Sequence, residues 1–143
     1  MTKIKSRGFS LVELLITCAI LSILAAIAFP NYQEYAIRAR MSEALTLMSG
    51  AKVSVTEYRL SRNVWPTNNQ EAGLAQPASI QGTSVKSVQI DGSVIIASIR
   101  SISAPGGGKI VLKGINSGDS VLWRCDSSAG TTLQAKFLPP ECR

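Results

Sequence analysis

Two hydrophobic regimes follow one another along the first half of the chain. From Phe9 to Phe29 apolar residues are almost continuous, and Glu13 is the one charge among them. As a helix these 21 residues span ~31 Å, about the hydrocarbon thickness of a bilayer. Beyond Pro30 the apolar positions thin out to three- and four-residue spacing. Tyr32, Tyr35, Ala36 and Ala39 come first, then Ala44, Leu47, Met48, Ala51, Val55 and Tyr58. Charges fall mostly between them, and Glu34 and Arg38 form an i,i+4 pair in the favourable order. The pattern predicts an amphipathic helix continuing to about Arg62, one face of which needs a cover, most simply a sheet. Gly50 weakens that helix without having to break it. Pro30 stands at the junction. It removes one helix hydrogen bond, and either ends the apolar helix or gives local freedom to a single long one.

The second half changes period. Residues 63–84 read as loop: Trp65-Pro66-Thr67-Asn68-Asn69 is turn chemistry, followed by Gly73, Pro77 and Gly82. Trp65 is expected to close over the domain as a lid. Residues 86–90 then alternate, Asp91-Gly92 signals a hairpin, and residues 94–99 are β-branched and apolar. Ala104-Pro105-Gly106-Gly107-Gly108 interrupts. Residues 109–113 form a third strand with a lysine at each end, Asn116-Ser117-Gly118-Asp119 turns the chain, and residues 121–125 form a fourth. Connections this short predict an antiparallel meander. The triple glycine lacks the strand-then-helix setting of a phosphate loop and reads as a turn.

Composition adds an address. The first eight residues hold Lys3, Lys5 and Arg7, three of the 15 basic residues, and none of the nine acids. The rest is only mildly positive, without the basic block that marks a nucleic-acid site. A basic leader before an apolar span holds the N-terminus in the cytoplasm and sends the remainder outward. Cys125 and Cys142 are an even pair in such an exported domain. A bridge between them is expected, closing a loop worth ~3 kcal/mol, with two free thiols as the alternative. Cys18, inside the apolar run, reads as an inert apolar residue.

The fate of the apolar run separates three readings. A secretory signal peptide could be cut after Ala26-Ile27-Ala28. A plain membrane anchor would stay intact. In the third, the leader is cut before the run, which stays with the mature protein. A carboxylate at Glu13 is costly in the first reading, and nothing there compensates it. In the third, a cut between Gly8 and Phe9 creates an amino group within one helical turn of Glu13, and a buried acid wants such a cation. Alternatively Glu13 reaches back to the headgroups.

Arg7-Gly8-Phe9-Ser10-Leu11-Val12-Glu13-Leu14-Leu15-Ile16 closely resembles the processing site of type IV prepilins of the short-leader, type IVa-like kind. The likeness extends along the chain, through the Trp-Pro-x-Asn-Asn loop, a Trp-x-Cys strand end and the Lys-Phe-Leu-Pro-Pro-x-Cys ending. It implies cleavage by a prepilin peptidase after Gly8, N-methylation of Phe9, pairing of Glu13 with the Phe9 amine of a neighbouring subunit, and a helix bent at Pro30. Thr17 and Cys18 depart from the family's aliphatic residues, but both are small, and Thr17 and Ser22 can bond back to helix carbonyls. The implied fold is α+β: a long N-terminal helix, its apolar half protruding, packed on a four-stranded antiparallel sheet with a C-terminal disulfide-bounded loop. The segments are a leader (1–8), an assembly helix (9–30) and a globular domain (31–143). That domain divides into helix to 62, loop 63–84, sheet 85–125 and tail 125–142.

The implied function is a structural subunit of a type IV pilus, serving adhesion, twitching motility or DNA uptake. Its partners would be further copies in a helical homopolymer, the prepilin peptidase and assembly machinery, and the inner membrane beforehand. Its globular domain would be periplasmic before assembly and on an extracellular fimbrium afterwards, open to host-surface or DNA contacts. Lys86, Arg100, Lys109, Lys113 and Lys136 serve DNA only if they share a side; a solvated surface is the simpler reading. Catalytic chemistry has little support. There is no histidine, so Ser-His and Cys-His devices are absent, and no residue cluster suggests a metal or cofactor. The alternatives are a pseudopilin of a type II secretion system, which the cysteine-bounded tail disfavours, a soluble exported binding domain, and, last, an enzyme.

Overall fold

The computed structural model describes residues 8–101 and 107–143. The basic leader residues and Ala104-Pro105-Gly106 lie outside them. One helix, α1 (Leu11–Arg62), runs unbroken through Pro30. The proline therefore does not end the apolar helix. Contacts divide the chain into a unit ending at Tyr35 and a unit from Ala36 to Arg143.

In the first unit, the large apolar side chains from Phe9 to Phe29 are 52–73% exposed. Thr17 donates to Leu14 O at 2.8 Å and Ser22 to Cys18 O at 2.7 Å, the back-bonding anticipated for both.

In the second unit, the helix buries Met41, Ala44, Met48, Ala51 and Val55, alternating three- and four-residue steps down one face. That face meets a single sheet of order β1-β2-β3-β4, all antiparallel. The strands are β1 (Val85–Asp91), β2 (Val94–Ile99), β3 (Gly108–Ser117) and β4 (Ser120–Arg124). Ile95, Ala97 and Ile99 of β2 and Ile110 and Leu112 of β3 point to the helix. On β1 the alternation slips once. Val85 and Val88, three apart, are both buried, because the β1–β2 register shifts between Val85 and Ser87.

The first hairpin turns one residue later than Asp91-Gly92 suggests. Asp91 still pairs with Val94, so Gly92 and Ser93 form the loop. Only Gly92 of the two has a positive φ, +60°, which suits glycine at the first central position of a II′-type turn. Strand β3 is longer than the apolar stretch 109–113, and three short 3-10 turns, at Ser127–Ala129, Ala135–Phe137 and Pro140–Cys142, order the tail. Trp65 lies across the sheet at Gly114, where an added Cβ would stand 2.7 Å from the indole. Its ring meets Trp123 edge-on at 6.4 Å, and the Arg59 guanidinium lies 5.6 Å from its centroid.

Candidate assembly and processing site

Gly8 and Phe9 are exposed ahead of the helix, and Ser10 starts it: Leu14 N–H donates to Ser10 O at 3.1 Å. The Ser10 hydroxyl accepts from Val12 N–H at 3.3 Å, while Ser10 N–H donates to Glu13 Oε2 at 2.9 Å. This is a capping box: the first residue's side chain serves a free helix N–H, and the acid three residues on reaches back to its backbone. Ser10-Leu11-Val12-Glu13 is the S-x-x-E signature directly before an apolar run, a signal in the sequence that is independent of the charge of Glu13. Glu13 thus has a task within its own chain. It sits in the first turn, where the helix dipole favours a negative charge, and the box uses only Oε2. A carboxylate oxygen accepts more than one bond, so the group remains able to take a further N–H donor. Ser10 N–H is one residue past the Gly8–Phe9 bond and would survive cleavage there.

The C-terminal tail is tied down at several points within its unit. Cys125 and Cys142 form the disulfide. Val111 N–H donates to the Thr131 hydroxyl at 3.0 Å, and that hydroxyl donates to Cys125 O at 2.9 Å. Thr132 N–H donates to Lys109 O at 3.0 Å, so the tail occupies the edge of β3 where β4 no longer covers it. Phe137 and Leu138 are buried, and the helix reaches over: Arg38 Nε donates to Lys136 O at 2.7 Å. Asp126 caps the first tail turn. Its pKa is lowered, chiefly by the Ser128 hydroxyl, against an opposing effect of desolvation, with help from Ala129 N–H and the Arg124 charge.

The loop between helix and sheet hangs on two side chains that the sequence does not advertise. Glu43, on α1, accepts Thr83 N–H at 2.6 Å and Ser84 N–H at 3.0 Å. Burial raises its pKa, but hydrogen bonds from Ser84 and Thr83 and the Arg100 charge outweigh this and hold it below the ordinary value. Asn69, only 2% exposed, donates to Val88 O and Ala75 O at 3.0 Å and accepts Ile90 N–H at 2.8 Å.

The five suggested DNA-contact cations are spread over strands, loop and tail, and Lys86 falls in the β1 irregularity, where the register gives it no partner on β2. Lys109 and Lys113 share the sheet face away from the helix, where Lys113 stands opposite Arg124. Asp91 lies in the same cross-strand row, two strands on. Arg100 donates to Gln81, and Lys136 belongs to the tail, stacked near Phe137. Among the described residues no group of three or more acidic, cysteine or histidine side chains is placed to hold a metal.

Comparison with known proteins matches this arrangement at both ends. Residues 37–143 match the pilin (bacterial filament) family, and residues 3–29 match the prokaryotic N-terminal methylation motif. The fimbrial protein EcpC of Eikenella corrodens is 43% identical over 150 residues, covering 100% of this chain and 94% of that protein. The type IV major pilin PilE of Neisseria gonorrhoeae is 43% identical, covering 96% of this chain and 93% of its own length. A fimbrial protein of Neisseria meningitidis is 38% identical over 96% and 94% of the two chains. The chain belongs to the pilin family.

Proposed function

We propose that this protein is the structural subunit of a type IV pilus, made as a membrane-anchored precursor and polymerised through Phe9–Phe29. A prepilin peptidase removes residues 1–8, and the new amine of Phe9 is methylated. Before assembly the apolar segment spans the inner membrane, with the N-terminus cytoplasmic and the globular domain periplasmic. In the fibre, the segments of many subunits bundle, and protein contacts replace lipid. Glu13, its Oε2 held by its own Ser10, offers its remaining capacity to the Phe9 amine of a neighbour. The amine is a cation and the acid an anion, so each offsets the other's cost of leaving water. Pro30 lets the helix adjust as the subunit leaves the bilayer.

The observation that carries this reading is the joint occurrence, in one chain, of the methylation motif over residues 3–29 and the pilin match over residues 37–143. The exposed apolar run and the disulfide-bounded tail support it. The role proposed is structural, which the pilin match supports.

The test is the intact mass of the envelope-located protein, with and without reductant. A chain beginning at Phe9 with one added methyl group is the expected result. A chain beginning at Phe29 would leave a soluble periplasmic domain and end the fibre reading. Recovery on sheared surface fibres, rather than only in the envelope, separates a pilin from a secretion-system pseudopilin.

A further inference from the structure

We infer that Tyr32 and Tyr35 form an interfacial anchor that docks on the outer headgroup layer of the bilayer before assembly, an assignment that rests on the membrane-inserted precursor proposed above. The anchor sets the depth of the apolar helix, and therefore the level at which the Gly8–Phe9 bond is presented on the other side.

The two tyrosines lie three residues apart, hence on neighbouring positions of one helix face, and are 71% and 72% exposed. A tyrosine ring carries an apolar body and a polar tip, and such rings are enriched where hydrocarbon meets headgroups.

The backbone marks the same boundary. Within the hydrocarbon every polar group must be satisfied by the protein itself. From Ser10 to Phe29 this holds for the polar side chains: Ser10 and Glu13 serve the capping box, and Thr17 and Ser22 bond back to helix carbonyls. The backbone ladder is interrupted at Pro30, whose nitrogen has no hydrogen to give Ala26 O. The next side chain, Asn31, is an amide that donates to Ile27 O at 3.3 Å. A missing backbone bond and an exposed amide belong at the edge of the hydrocarbon, and the tyrosines follow at once.

Tyr32 lies 19 positions after Glu13, or ~28 Å along a helix, close to the hydrocarbon thickness. With the tyrosines at the outer headgroups, Glu13 and Ser10 reach the inner edge, and the Gly8–Phe9 bond lies just past it.

Two measurements on the full chain test this. In the first, Y32W is reconstituted in phosphatidylglycerol–phosphatidylethanolamine vesicles with bromines placed either near the glycerol end or near the bilayer centre. The signal of Trp65 and Trp123 is taken from the wild-type chain. The introduced indole should be quenched at least about twofold more by the shallow bromines. Equal or deeper quenching, or none in a vesicle-bound chain, overturns the anchor. A wild-type chain that does not enter vesicles overturns the membrane reading itself. In the second, Y32A/Y35A should lose leader cleavage severalfold in a host with a prepilin peptidase, and Y32W/Y35W should restore it. Unchanged cleavage in the alanine pair overturns the depth-setting role, whereas loss that tryptophan does not restore assigns the tyrosines to folding instead.

Discussion

Ser10 N–H donates to Glu13 Oε2 at 2.9 Å, so the one acid in the apolar segment is engaged by its own chain before any neighbour arrives. This separates two roles of the carboxylate that deletion alone would merge. Ser10→Ala removes the cap hydroxyl but leaves the backbone N–H and the acid. It should cost the helix start about 1 kcal/mol and leave fibre yield largely intact. Glu13→Gln keeps an oxygen for Ser10 N–H but loses the negative charge. The exported domain should stay folded while assembly falls. Sheared-fibre yield and domain circular dichroism, measured on both variants, give the comparison. Normal fibre yield from Glu13→Gln would sink the proposed pairing with the Phe9 amine.

The tail is held by a covalent and a non-covalent tie of different kinds. Cys125→Ser removes the bridge and should lower stability by ~3 kcal/mol on chain-entropy grounds. Arg38→Ala removes a charged donor from Lys136 O, for about 1.5–3 kcal/mol at most, less where water replaces it. Limited proteolysis should open residues 126–143 first in Cys125→Ser and only weakly in Arg38→Ala. Unchanged protease resistance in Cys125→Ser would mean that burial of Phe137 and Leu138 alone fixes the tail.

Where periodicity governs, the fold was legible. The helix end at Arg62, the four strands and the cysteine pairing follow from apolar spacing, turn residues and the exported address. The misses have physical causes. Met41 lies one turn before Ala44, where the apolar spacing opens the core face, and a methionine among charged and polar neighbours does not declare its side. The β1 bulge breaks strict alternation, because one extra residue between Val85 and Val88 changes which side chains face inward. Glu43 and Asn69 act over 40 and 21 positions respectively, on backbone groups rather than on partner side chains. No residue type or spacing announces such a bond. At the candidate site, Gly8, Phe9 and Glu13 fall within the matched methylation motif, and the box formed by Ser10 is legible only as the local S-x-x-E spacing rather than in the pattern of charge.

Glu43 gives the helix-to-sheet loop a pH dependence. Its folded-state pKa lies below its ordinary 4.5, so it binds its proton less readily folded than unfolded. The stabilisation is therefore fully present above about 4.5 and is lost as pH falls through the folded value. Hydrogen exchange at Thr83 and Ser84 should accelerate in that acid window relative to the sheet amides. Glu43→Gln should show the faster exchange already at neutral pH and flatten the dependence. If the variant kept the acid transition, another carboxylate would be responsible.

Asn69 stands in for a missing neighbour strand. β1 is at the edge of the sheet, and its outward groups at Val88 O and Ile90 N–H meet the Asn69 amide as they would meet another chain's backbone. An exposed edge with unpaired groups is a template for unwanted pairing; Asn69 covers two of the groups on this one, and Gly82 N–H serves a third, Val85 O. Asn69→Ala should leave those two groups and Ala75 O without partners, at about 2–4 kcal/mol if water does not reach them. Asn69→Asp should keep the bond from Ile90 N–H but turn a charged oxygen toward Val88 O, and should be no better than alanine. Denaturant unfolding of the exported domain reads the loss, and concentration-dependent light scattering reads the opened edge. An Asn69→Ala domain of wild-type stability that stayed monomeric would show that the loop backbone, not this amide, protects β1.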